Sequence, residues 1–350
     1  MLLTNFIWFI IHAVKNIRIL NLTWFASSHW NLLGIFKKLL LVLLSGVLAW
    51  AYQAIRPPPP KICGSLDGPP VTSPRIKLRD GRHLSYLEHG VPKESAKYKI
   101  IFVHGFANSK HHNLFAGAAF PVLIFHFSHA LIEDLKVYTV SFDRPGYGES
   151  DPDPNRTLKS LALDIEELAD HLGLGSKFYV VGVSMGGELV WPCLKYIPHR
   201  LAGVTLVAPV VNHWWPNFPS NITKEVYSQM FKQDQWAHRV AHHLPWLSYW
   251  WDTQKWFPSS SVTSQSLAMF CPPVMEILSK FKGLLREAQM DQFMYGKVMM
   301  IGFTHVTLQR YIAQRLPWIK YHDLTHAGHL FAFADGMTDT ILKTLLNVED

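Results

Sequence analysis

The sequence predicts an α/β fold, in which a mostly parallel sheet carries helices on both faces and a helical cap is inserted late in the chain. Three observations predict it. Short apolar runs alternate with helix-period segments from Lys99 onward, the pattern of a sheet covered on both sides. Several of those runs stop at Gly-containing turns, as strands ending in functional loops do. Residues 212–297 then break the alternation with seven tryptophans among many prolines and histidines, which marks an insertion.

Arg75 to Gly90 alternates as two strand-like runs about Asp80-Gly81, a hairpin signal. Lys99 to Val103 and Val137 to Phe142 are apolar runs, the first ending in His104-Gly105 and the second in DRPGYGESD. Leu158, Leu161, Ala162, Ile165, Leu168, Ala169 and Leu172 recur at helical spacing until Gly173 stops the helix. The run FYVVGVSMGG follows as strand, tight turn and helix, and Val204 to Val207 begins another strand. The core is thus read as residues 75–211 and 298–350, with 212–297 as the cap.

Ahead of the core, Leu39 to Ile55 holds seventeen residues without a charge, between Lys37-Lys38 and Arg56 with four prolines. A helix needs about 20 such residues to cross about 30 Å of hydrocarbon, so residues 37–56 are read as a membrane-spanning helix. Trp50 and Tyr52 suit an interface. Residues 1–36 form an apolar N-terminal segment, and residues 57–74 a proline-rich spacer. Basic residues flank the span on both sides, so its orientation stays open. The expected location is a membrane, of endomembrane type, with a single pass.

Composition agrees with a membrane partner. Only 17% of residues are charged, against about 25% in an average soluble domain. The net charge of +7 is scattered, with no basic run or nucleic-acid motif, which argues against a nucleic-acid partner. Cys63, Cys193 and Cys271 lie far apart, without metal spacing or the even count of a disulfide framework.

Gly182-Val183-Ser184-Met185-Gly186 fits G-x-S-x-G, a sharp turn that lifts a serine hydroxyl clear of a strand end. Three fixed positions at roughly 7% frequency match by chance in about one chain in ten of this size, so the strand before and helix after carry the weight. His104-Gly105-Phe106 closes an earlier strand, where the Phe106 N–H, with that of Met185, would face a developing oxyanion. A base should follow a last strand, and WIKYHDLTHAGHLF offers a strand-like run and then Gly328-His329. Among nineteen histidines, with His322 and His326 close by, His329 is the best candidate.

HGF, SFDRPGYGESD, GVSMGG and AGHLF, in this order, resemble the α/β-hydrolase superfamily from about Arg75 to Leu346. YIPHRLAGVTLVAPVVNHWWP and the spacer look most like a plant group of membrane-anchored α/β-hydrolases. The resemblance implies an α/β-hydrolase fold and a serine hydrolase of ester-like bonds with a Ser-Asp-His triad and no metal or organic cofactor. It does not supply the substrate; the cap's aromatic residues suggest an apolar ester or acyl small molecule.

One part departs from the pattern. The acid is expected roughly 25 to 30 residues before the histidine, yet no Asp or Glu occurs from Gln292 to His322, and the site reads MMIGFT. An alternative acid position after the strand ending at Val211 holds Asn212. In the family a strand and an Asp-bearing loop would precede VTLQRYIAQRLPW, and that block is missing. Asp323 and Asp335 lie near His329 in sequence but not at the matching position, so the triad acid is unassigned. The competing function is a non-catalytic ligand-binding protein on a hydrolase fold.

Overall fold

A computed structural model describes residues 32–106, 108–116, 129–261, 305–324, 331–333 and 336–348. The chain divides into two compact units, Met1–Ala54 and Ile55–Asp350.

In the first unit, α1 (Leu32–Ile55) has 24 residues, about 36 Å at 1.5 Å per residue. The 21 residues Ile35–Ile55 are long and apolar enough to cross a membrane, and none of that window is buried. The helix begins five residues before the expected boundary and ends one residue short of it.

The second unit is a six-stranded sheet in the order β1-β2-β4-β3-β5-β6. Its strands are β1 (Arg75–Lys77), β2 (His83–Gly90), β3 (Tyr98–Val103), β4 (Val137–Phe142), β5 (Phe178–Val183) and β6 (Leu201–Val207). β1 and β2 form the antiparallel hairpin about Asp80-Gly81, with Ile76 opposite Leu84. β2 joins β4 antiparallel, and β4, β3, β5 and β6 run parallel. Burial follows from this mixture: all six side chains of β4 are enclosed, as expected of a parallel strand covered on both faces.

Helices α2 (His129–Asp134), α3 (Leu158–His171), α4 (Gly187–Tyr196) and α9 (Met337–Leu346) supply the cover. One face buries Ile165, Leu168, Leu189 and Val190 against Ile101, Val140 and Val180. The other buries Ile132, Ile341, Leu342 and Leu345 against Ile100, Phe102 and Val181. α3 starts where Thr157 accepts from the Ser160 N–H and Ser160 Oγ accepts from the Thr157 N–H, a reciprocal cap.

Within the inserted region lie α5 (Ser220–Gln229), α6 (Lys232–His243) and α7 (Ser248–Thr253), and α8 (Val306–Arg315) follows. Val226, Met230 and Leu308 pack on Val211, so α5 and α8 share one small core just past β6.

One expectation is corrected. The run Trp318–His322 is irregular, not a strand. A strand needs a neighbour to complete its hydrogen bonds, and among the described residues the sheet has its edge at β6. The proline-rich spacer is itself fastened. Cys63 is buried and donates to the Pro70 carbonyl at 3.2 Å. The N–H groups of Thr72 and Ser73 both donate to Glu149 at 3.1 Å, so these residues dress the hairpin end of the sheet.

Candidate functional site

Ser184 occupies the turn between β5 and α4, with φ at +54°. A left-handed backbone at a non-glycine residue costs on the order of 1–3 kcal/mol and persists only where the surroundings hold it. Here they do. The Ser184 carbonyl accepts from the Val210 N–H at 3.0 Å, which ties the turn to the loop after β6.

The glycines explain the close fit. A Cβ on Gly186 would lie 2.1 Å from the Val103 carbonyl oxygen, and one on Gly182 would lie 2.6 Å from that of Gly186. Gly187, which the sequence reading left aside, is needed as well: its Cβ would meet Pro209 Cβ at 2.7 Å. Strand end, turn and helix start are therefore packed backbone against backbone.

The loop after β3 arrives beside this turn. A Cβ placed on Gly105 would stand 3.2 Å from Ser184 Cβ. Phe106 packs with Met185, Tyr147 and Val210 in one cluster at the turn. Among the described residues, the Phe106 N–H has no intramolecular acceptor. The structure thus brings together Ser184, Met185, Gly182, Gly186, His104, Gly105 and Phe106.

His104 is buried and its hydrogen bonds define the ring. Nε2 accepts from the Arg144 N–H at 3.1 Å, so Nδ1 carries the proton and donates to the Gly105 carbonyl at 2.9 Å. Burial, reinforced by the Arg144 charge, holds its pKa well below the usual value near 6.5 and keeps the ring neutral. Beside it, burial pushes the Glu188 carboxyl up to about 8, although Arg144 and Arg156 pull the other way.

A buried ion pair anchors the same loop. Asp143, at the end of β4, accepts from the Lys110 N–H and from Lys110 Nζ, both at 2.7 Å, and from the Glu149 N–H at 3.0 Å. Lys110 lies 33 residues from Asp143, and Arg144 lies 40 from His104, so short sequence motifs did not reveal either pairing.

The expected base, His329, lies outside the described residues, as do Gly328, His326, Asp335 and the stretch MMIGFT. Of the carboxylates considered for the acid, Asp323 pairs with Arg310, whose Nε donates to it at 2.7 Å. Asn212 accepts from the Trp214 N–H at 2.9 Å and so shapes its own loop. Past it stands a group of histidines that the sequence reading missed. His213 stacks on His238 with ring centroids 5.4 Å apart. Both His213 nitrogens, His238 Nδ1 and His305 Nε2 are buried without hydrogen-bond partners among the described residues. Among the described residues no three side chains are placed to hold a metal ion.

The cap tryptophans divide. Trp214 stacks on His242 at 4.3 Å and Trp215 on Phe218 at 6.1 Å. Trp236, Trp246 and Trp256 are exposed.

Residues 98–331 match the family described as alpha/beta hydrolase fold. No curated protein matches the chain. Among solved structures, a thermophilic esterase from Thermogutta terrifontis is 20% identical, covering 66% of this chain and 72% of its own, with a TM-score of 0.40. An enol-lactonase from Burkholderia xenovorans is 16% identical over 65% and 72%, with a TM-score of 0.42. A Nitrososphaera gargenis structure from a study of carboxylesterases is 12% identical over 79% and 98%, with a TM-score of 0.46. With two thirds of its length matched by the family model and the order β1-β2-β4-β3-β5-β6 in its sheet, the chain belongs to the alpha/beta hydrolase fold family.

Proposed function

We propose that this chain is a serine hydrolase of ester-like bonds, of the carboxylesterase or lipase type, held at a membrane by α1. Ser184 is the nucleophile, His329 the base that takes and returns its proton, and the N–H groups of Phe106 and Met185 receive the oxyanion. The substrate class is a small apolar ester or acyl compound. The observation that carries this reading is Ser184 at φ +54° on a strand-to-helix turn, with Gly105 against it and an N–H with no intramolecular acceptor at Phe106. The resemblance of the spacer and of YIPHRLAGVTLVAPVVNHWWP to a plant group of membrane-anchored α/β-hydrolases supports the anchor, as does the length of α1.

Hydrolysis of short p-nitrophenyl esters by the purified full chain tests the reading. Turnover above buffer, lost in Ser184→Ala, is expected; turnover that survives the substitution contradicts it. If no carboxylate stands behind the His329 imidazole, rates will be low, since losing that charge in a related triad costs on the order of 10⁴ in turnover.

A second reading has its own observation. No Asp or Glu occurs between Gln292 and His322, and Asp323 is committed to Arg310. A protein that binds an ester-like ligand without turning it over fits that loss. Binding of a hydrolysis-resistant ester analogue, with no turnover in either the parent chain or Ser184→Ala, would favour it.

A further inference from the structure

The peptide between Gly105 and Phe106 carries both a carbonyl and the proposed oxyanion donor. None of the described peptide bonds is cis, so that carbonyl and the N–H across the same planar unit point in opposite directions. Whatever fixes the carbonyl therefore aims the N–H.

Two donors fix it. His104 Nδ1–H reaches the Gly105 carbonyl oxygen at 2.9 Å, and Arg144 Nη2 reaches the same oxygen at 3.2 Å. Arg144 also places the first of these donors, because its backbone N–H gives His104 Nε2 a hydrogen bond at 3.1 Å and leaves the ring proton on Nδ1. The guanidinium lies over the Tyr147 ring, 4.5 Å from its centroid, and that ring meets His104 edge-on at 5.0 Å. Tyr147 in turn packs with Phe106 and Met185, the two residues whose N–H groups are proposed to receive the oxyanion. Arg144 is itself buried, so its fork has few rotamers open to it.

From this geometry we infer that Arg144 is a positioning residue for the oxyanion donor: by gripping the Gly105 carbonyl and setting the His104 tautomer, it holds the Phe106 N–H in line with the Ser184 hydroxyl. The inference rests on the proposed roles of Ser184 and Phe106. It extends them to a residue about forty positions away in the chain that acts through the Gly105 carbonyl.

The test measures phosphonylation of the full chain by a fluorophosphonate, separating the limiting rate constant from the half-saturating concentration, with thermal unfolding followed in parallel. Arg144→Leu should slow the limiting step by about 10- to 100-fold, less than the 10² to 10³ that loss of a whole donor costs, and change half-saturation by less than about 3-fold. Arg144→Lys, which can offer one donor in place of the fork, should recover part of the rate. A limiting rate unchanged in both variants overturns the inference. Should Arg144→Leu fail to fold, Arg144→Lys carries the test alone, with a slowing of several-fold expected and an unchanged rate contradicting it. Ser184→Ala is measured alongside. Labelling that persists there overturns the nucleophile and Arg144 together; labelling lost there but unaltered in the Arg144 variants overturns Arg144 only.

Discussion

Asp143 and His213 are both buried and ionisable, and they stand at the ends of two strands on the same side of the sheet, yet they live in different surroundings. Asp143, after β4, receives three hydrogen bonds, two from Lys110 and one from Glu149. His213, beyond β6, has no partner for either nitrogen among the described residues and stacks on the His238 imidazole. In the sheet half, from β1 to β6, bonds from Lys110 to Asp143 and from Ser141 to Lys110 fasten the loop after β3 to the end of β4. Beyond β6, buried Asp234 is satisfied by Ser261, while His213, His238 and His305 each enclose at least one ring nitrogen without a partner among the described residues. Buried polar atoms are costly when unpaired, so the two regions should respond very differently to mutation and to pH.

Breaking the network should have the largest effect. Asp143→Asn takes from the buried Lys110 ammonium its nearer carboxylate, leaving only Glu149 at 3.6 Å, and should cost about 3 kcal/mol, read as a lower midpoint in urea. A loss below about 1 kcal/mol would mean that this region is no better tied than the other. Next comes acidification. Burial, and then the neighbouring imidazoles of His305 and His242, push His213 down to about 4; burial, with His213 and His305, pushes His238 to about 3. Both values lie below the ordinary 6.5, so the unfolded chain binds protons that the folded chain refuses. Stability is complete above pH 6.5 and falls as the pH drops toward 4. At about 1.4 kcal/mol per pKa unit, His213 alone accounts for on the order of 3 kcal/mol. His213→Asn should flatten the unfolding free energy between pH 6.5 and 4; an identical slope in the variant would refute the assignment.

The smallest effect is local. Thr157→Ala removes the reciprocal cap of α3 and should cost about 1 kcal/mol, with no change in esterase or labelling rate. Since this cap touches neither region's buried polar groups, it calibrates the other two measurements.

The same contrast explains what could be read from the sequence. β3, β4, β5 and the turn at Ser184 were legible because each is specified within ten residues: an apolar run, glycines where a Cβ would strike backbone, then a helix. α3 was legible from its period and differs by one residue at its end. Arg144, Lys110 and Glu188 were not, since their partners lie far away along the chain and their residue types alone say nothing. The expected strand at Trp318–His322 failed for a related reason: its apolar run is real, but a strand is defined by a neighbour that the described residues do not supply. Cys63 and Thr72 were read as spacer because prolines dominate the segment, although side-chain and N–H bonds fasten it to the fold.

The central claim is that the Ser184 hydroxyl is a working nucleophile. Site mapping by mass spectrometry after fluorophosphonate treatment of the full chain tests it most directly. A single adduct on the peptide containing Ser184, absent after heat unfolding and absent in Ser184→Ala, is the predicted result. An adduct on a different serine, or none at Ser184 after prolonged exposure of the folded protein, would contradict it.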